Sequence, residues 1–318
     1  MKHILVLGGT GFVGRHVCEK LLRQGWRVTV PTRRIDHARA IQHLPGLSLV
    51  VADVHDPDAL QRLVAGHDAV VNLVAILQGN ETAFDQVHVQ LPRQIVAACQ
   101  AQKVRRLVHI SALGVGADAP SRYLRSKAAG EAVVTGSGLD WTVLRPSVIF
   151  GADDRFTTLF ARLADTFPVL PLAGANSQFQ PVWVEDVAEA VLRSLLQPQA
   201  SIGQTFEACG SEVTTLGQIV SDIGRWLGVN YGQGRRVIAL PTALGYFQAW
   251  LMELLPGDPL LSRDNLESMQ VPNVASGQRP GLQQLGIQPA NLAGVVPQYL
   301  GQGGVHGRYN RFRKTAHR

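Results

Sequence analysis

Tyr123 and Lys127 stand four residues apart in the run SRYLRSKAAGE, so a helix carries a phenol and an ammonium on one face. A phenol near pKa 10 is a poor acid–base group at neutral pH. A neighbouring cation lowers that value and lets the phenol pass a proton to or from a carbonyl oxygen. Tyr123 is therefore the candidate acid–base residue and Lys127 its electrostatic partner. A Tyr-x-x-x-Lys pair is common by chance, and its place behind an apolar strand gives this one weight.

A second cluster lies at the start of the chain. The segment GGTGFVG places Gly8, Gly11 and Gly14 three apart, with Thr10, Phe12 and Val13 between them. Such a turn between a strand and a helix lets backbone approach a pyrophosphate, and the free N–H groups of the helix start favour its charge. The pattern predicts a dinucleotide site; a merely structural tight turn is the alternative. Lys127 would then also hold ribose hydroxyls. No GxxxxGK[ST] run is present. At the end of the second strand an NAD site usually has a carboxylate for the ribose 2′-hydroxyl, but this chain has Thr32, Arg33 and Arg34. Guanidinium groups suit a 2′-phosphate, so NADP(H) is expected over NAD(H), with nearby Asp36 as the counter-argument. Asp53, with Val54 beside it, is a candidate adenine contact or the cap of the next turn.

These residues need a scaffold, and the apolar pattern describes one. Strands are expected at 3–7, 27–31, 47–52, 69–75, 105–111 and 141–145, and helices at 12–24, 57–65, 84–101 and 122–135. Continuously apolar strands alternating with helices indicate a Rossmann-type, doubly wound parallel α/β sheet. Residues 1–150 form the expected dinucleotide-binding core. Residues 151–300 form a smaller substrate or partner lobe interleaved with it, with helices at 157–165, 182–196 and 216–227 and a strand at 205–209. Residues 301–318 form a basic flexible tail.

Composition narrows the function classes. The chain has 318 residues, 46% hydrophobic and 17% charged, enough for a large core and against whole-chain disorder. Arg308, Arg311, Arg313, Lys314 and Arg318 carry five of the six excess positive charges. The body is thus nearly neutral, against a nucleic-acid-binding face. Cys18, Cys99 and Cys209 stand too far apart for a thiolate cluster and read as buried residues of a reducing compartment. No HExxH or paired Cys/His spacing suggests a metal. The first residues are too short an apolar run for a signal peptide, so a cytoplasmic protein is expected.

Together these pieces resemble the short-chain dehydrogenase/reductase superfamily, of its extended or atypical kind. Within it the chain is similar to the group containing the 39-kDa accessory subunit of respiratory complex I and its bacterial relatives. The resemblance rests on GGTGFVG, HISALG, SRYLRSKAxGE, LRPSVIFG, QPVWVEDVAEA and LGIQPANLAGVVPQYL, and leaves only the basic tail outside it. It implies that Gly8, Gly11 and Gly14 form the pyrophosphate turn and that Tyr123 and Lys127 are the active-site pair. It also shows two departures. Ser111 is the nearest residue to the family's catalytic hydroxyl, which sits one or two positions further on, where this chain has Ala112 and Leu113. His88 stands where an asparagine is common. The resemblance therefore implies an NADP(H)-binding accessory or assembly-type component of complex I or quinone-linked membrane machinery, with little hydride transfer. The alternatives are an NADP-dependent oxidoreductase or epimerase-like enzyme acting on a carbonyl or sugar-like substrate through Tyr123 and Lys127, and a scaffold that senses the cofactor ratio.

Residues 237–252 carry no charge and include Tyr246, Phe247 and Trp250. Sixteen residues interrupted by Pro241 and Gly245 are short of the roughly 20 that span a bilayer. They read either as a helix buried in the C-terminal lobe or as an interfacial element. In the second case this stretch and the 301–318 tail would meet an anionic membrane, placing the protein peripherally on the inner face of the cytoplasmic membrane.

Overall fold

The computed structural model describes residues 1–254, 259 and 261–300, the Tyr231 side chain excepted; the tail at 301–318 lies outside the described residues. Six strands come from the first half: β1 (His3–Leu7), β2 (Arg27–Thr32), β3 (Leu47–Val51), β4 (Ala69–Asn72), β5 (Arg106–Ile110) and β6 (Asp140–Pro146). A seventh strand, Gln204–Ala208, pairs with β6 at one edge, and the order from that edge runs β6, β5, β4, β1, β2, β3. Every pair is parallel. The order reverses between β1 and β4, which opens a crevice at the carboxyl ends of these strands.

Alternation along the strands feeds two cores. Ile4 and Val6 point to one face with Val28, Val30 and Val71, while Leu5 and Leu7 point to the other with Val70 and Ile95. Helices α1 (Phe12–Arg23) and α7 (Val184–Leu196) pack together on the first face. Glu185 of α7 ties them further by holding His16 at 2.6 Å and Lys20 at 3.1 Å. Helices α2 (Pro57–Val64), α4 (Leu91–Ala101) and α5 (Arg122–Thr135) cover the second. A short α3 (Glu81–Asp85) runs into α4 through a π-helical turn, Gln86–Gln90. Each Leu or Val fully buried in these layers contributes about 1.5–3 kcal/mol. Cys18, Cys99 and Cys209 are buried and unpaired.

The C-terminal lobe has its own core, built from Phe150, Leu170, Phe179, Ile219, Ile223 and Val296. Helices α6 (Thr157–Thr166), α9 (Leu216–Trp226) and α12 (Leu292–Leu300) enclose it. A four-residue α8 (Pro198–Ser201) joins α7 to the edge strand. Three two-stranded pieces complete the lobe, among them Val169–Leu172 paired in parallel with Arg236–Ala239. The last helices before α12 are α10 (Thr242–Glu253) and α11 (Arg263–Ser268).

Four expectations need correction. The strand expected at 205–209 belongs to the main sheet rather than to the lobe, because its register continues β6. The expected helix at 182–196 begins only at Val184; Val182–Trp183 pairs with Ile149–Phe150 instead. The strand expected at 69–75 stops at Asn72, where Asn72 Oδ1 accepts the N–H of Val74 and turns the chain. The apolar stretch 237–252 is not a buried helix: it starts inside a strand, and in α10 only Gly245 and Ala249 are buried.

Candidate functional site

The glycine turn sits at the carboxyl end of β1. Gly8 has φ +82°, a left-handed conformation that disfavours any side chain, and its carbonyl accepts the N–H of Gly11 at 3.0 Å. A Cβ on Gly14 would meet the Gly9 Cα at 2.6 Å, so α1 presses against the turn only because position 14 is bare. No side chain caps the start of α1 and no acid lies in its first turn. Its N–H groups and positive dipole end are left to an outside anion. Thr10, Phe12 and Val13 line this turn in half-buried positions. The turn thus fits a pyrophosphate.

Arg33 and Arg34 are exposed just past the end of β2, at the same sheet edge. Arg34 lies 3.9 Å from Asp36, which also faces Arg39 at 3.7 Å, and Arg33 makes no ion pair among the described residues. Thr32 Oγ1 donates to the Arg34 carbonyl and accepts its N–H, fixing the turn that presents both guanidinium groups. Asp53 accepts the N–H of His55 at 3.0 Å, so its carboxylate holds the turn before α2 and Val54 lies half-buried beside it.

Helix α5 brings Tyr123 and Lys127 to the end of β5. Lys127 is buried, and its Nζ donates to the carbonyl of Ile110 at 2.7 Å. Burial brings its ammonium down to about 8. Tyr123 differs from expectation: burial pushes the phenol up to about 12, with no opposing cationic effect. The ammonium is engaged by the Ile110 carbonyl, and the tyrosine ring packs instead against Phe84 at 6.1 Å and His88 at 5.5 Å.

His88 is held on both nitrogens. Its Nε2 accepts the N–H of Ile76 at 3.2 Å, so Nδ1 carries the proton toward Ser126 Oγ at 2.8 Å, and that hydroxyl donates to the Tyr123 carbonyl. Burial, with the Lys127 ammonium second, holds His88 down to about 3, so the ring is neutral. The π turn projects it, and Gly130 allows α5 to pass the His88 backbone, where a Cβ would collide with that carbonyl. Nearby, His109 is neutral through burial and accepts from Asn72 Nδ2 at 3.1 Å.

Ser111 is buried, and its Oγ has no hydrogen-bond partner among the described residues. Ala112 and Leu113 are also buried, the latter fastened to β6 by an N–H bond to the Pro146 carbonyl. Asp264 of α11, which no local signal announces, accepts the N–H groups of Arg122 at 2.8 Å and Tyr123 at 3.2 Å. A cavity of about 170 Å³ lies between this contact and Gln78, Phe84 and Glu253. Asp186 accepts the N–H of Ala290. Trp183 packs into the lobe core. Among the described residues no three His, Cys, Asp or Glu side chains group as a metal site. No described helix is long and apolar enough to cross a membrane.

Comparison with known proteins agrees with this geometry. A family described as NAD(P)H-binding matches residues 8–198. The chain is 33% identical over 297 residues to mouse (Mus musculus) mitochondrial NADH dehydrogenase [ubiquinone] 1 alpha subcomplex subunit 9, covering 90% of this chain and 76% of that protein. It is 28% identical over 253 residues to a ceramide reductase of Caulobacter vibrioides, covering 78% of each. The fold matches a Streptomyces venezuelae dTDP-glucose 4,6-dehydratase crystallised with NAD at a TM-score of 0.70, with 21% identity, 94% of this chain and 95% of that one. The glycine turn, the seven-stranded parallel sheet and these matches place the chain in the NAD(P)H-binding short-chain dehydrogenase/reductase superfamily, among the relatives of the complex I alpha-subcomplex subunit 9.

Proposed function

We propose that the protein binds NADP(H) chiefly as a structural cofactor and serves as an accessory or assembly-type component of complex I or related quinone-linked membrane machinery, peripheral on the inner face of the membrane. The observation that carries this reading is the buried pair Ala112 and Leu113, which leaves the Tyr123–Lys127 pair without its usual hydroxyl partner. Loss of one such donor lowers rates by roughly 10²–10³. The similarity to the complex I subunit over 90% of the chain supports the accessory role.

In this reading Gly8, Gly11 and Gly14 cradle the pyrophosphate, with Thr10, Phe12 and Val13 around it. Arg33 and Arg34 receive the 2′-phosphate, Asp53 and Val54 border the adenine, and Lys127 holds ribose hydroxyls. The bound dinucleotide would supply a hydride, which the protein makes little use of. Mass spectrometry of gently purified protein should find a dinucleotide carrying the 2′-phosphate. A carbonyl-substrate screen followed at 340 nm should stay below about 1 s⁻¹.

A second reading, an NADP-dependent oxidoreductase or epimerase-like enzyme, is favoured by one observation. Ser111 Oγ is buried with no partner among the described residues, as a hydroxyl awaiting a substrate oxygen would be. Turnover above about 1 s⁻¹, lost in both Tyr123→Phe and Ser111→Ala, would replace the first reading with this one.

A further inference from the structure

Helix α10 is packed with its small residues inward. Gly245 and Ala249 face the lobe, against Ala173 and Leu266, while Leu244, Phe247, Trp250, Leu251 and the following Leu254 are 43–63% exposed. A surface helix ordinarily does the reverse, hiding its bulky apolar side chains. The neighbouring two-stranded piece also exposes apolar side chains on its outer face. Val169 pairs with Arg236 and Pro171 with Ile238, and these four point outward while Leu170, Leu172 and Val237 point to the core. Phe167 is exposed beside them. Among the described residues, eight of sixteen exposed large apolar side chains fall within 167–169 and 238–254, so the exposure is local rather than scattered.

Arginines border this face. Arg236 stands on the outer strand surface, and Arg235 is fixed by its Nε donating to the Ala164 carbonyl at 2.9 Å. Glu253, the acid of α10, is tied to Arg263 at 2.9 Å, and Asp222 of α9 to Arg225 at 2.9 Å, while Asp165 near the end of α6 and Glu267 on α11 are further acids on the elements packed here. Leu300 packs in the same lobe core as Val237, and the chain beyond it adds five cations and no acid. Exposed Trp, Phe and Leu bordered by arginine is the composition that settles at the headgroup level of a bilayer.

We propose that α10 and the outer face of the Val169–Leu172/Arg236–Ala239 pair form a docking surface for an anionic lipid bilayer, with Phe247, Trp250 and Leu251 entering at headgroup depth. The proposal rests on the membrane-linked reading above for its setting, and on these exposures, independent of the cofactor, for its substance. Because Glu253 lines the cavity near Tyr123, docking would set that cavity close to the lipid.

The test uses full-length protein saturated with NADPH, floated with vesicles of phosphatidylcholine alone or mixed equally with phosphatidylglycerol. Flotation is expected on the mixed vesicles and should weaken severalfold as salt rises from about 50 to 500 mM. Lipids brominated near the headgroup should quench wild-type tryptophan emission, and Trp250→Phe should remove most of that quenching. Phe247→Glu with Leu251→Glu should lower binding at least tenfold while leaving NADPH affinity unchanged. Absence of flotation, equal flotation of the double variant, or quenching unaffected by Trp250→Phe would each overturn the proposal. So would self-association, in place of lipid binding, that the glutamates abolish. NADPH affinity, measured separately, tells a failed docking surface from a failed cofactor assignment.

Discussion

Asp264 Oδ2 accepts the backbone N–H of Tyr123 at 3.2 Å from 141 residues further along the chain. Its other oxygen takes the Arg122 N–H at 2.8 Å, and Ser121 Oγ takes that of Leu124 at 3.1 Å. The first three donors of α5 are thereby satisfied, two of them by the C-terminal lobe. A buried carboxylate at a helix start is placed where the dipole favours it. The lobe therefore positions the Tyr123 helix rather than merely lying beside it.

Asp264→Ala should destabilise the protein by about 1–2 kcal/mol, the ordinary cost of losing a helix cap with its charge. Urea denaturation measures the loss, and hydrogen exchange should show faster opening at the amides of Arg122 and Tyr123. Unchanged exchange at these two sites would mean that Asp264 does not hold the helix.

His88 gives the protein a pH dependence of defined sign. Its folded value of about 3 lies below an unfolded value near 6.5, so the unfolded chain binds the additional proton. Its contribution is complete above about pH 6.5 and is lost as pH falls toward 3. His109, also lowered by burial, acts in the same direction. His88→Gln should flatten the decline in stability between pH 6 and 4, which chemical denaturation at several pH values would reveal; an unchanged slope would contradict the assignment.

The sheet was readable because strands buried on both faces must be continuously apolar, and the runs at 3–7 and 27–31 match β1 and β2 within a residue. The glycine turn was readable because its constraint is local. Asp264 was not, since its partner lies across the molecule and a lone aspartate in RDNLES carries no sign of one. The π turn at Gln86–Gln90 was missed because five residues with one extra in the turn barely disturb helical spacing. The outward face of α10 was hidden for another reason: an uncharged apolar run does not say which of its sides is buried. The raised Tyr123 phenol follows from burial, and the engagement of Lys127 by the Ile110 carbonyl is a tertiary contact; spacing alone shows neither.

Gly14→Ala should lower dinucleotide affinity at least tenfold and reduce thermal stability, because the new methyl would meet Gly9 Cα at 2.6 Å and push α1 off the turn. Gly66→Ala is a useful companion: nothing lies within 4 Å of its Cβ, so only the strain at φ +75° acts. It should cost stability without altering cofactor affinity. Equal affinity losses in the two variants would separate the glycine turn from binding.

The central claim is that Arg33 and Arg34 select a 2′-phosphorylated dinucleotide, and calorimetric titration of NADPH and NADH into wild-type and Arg33→Ala protein tests it most directly. Wild-type protein should bind NADPH at least tenfold more tightly than NADH, and the substitution should weaken NADPH far more than NADH, consistent with a lost charge-assisted contact of about 1.5–3 kcal/mol. Tighter binding of NADH by the wild type, or equal losses for the two dinucleotides in the variant, would contradict the account.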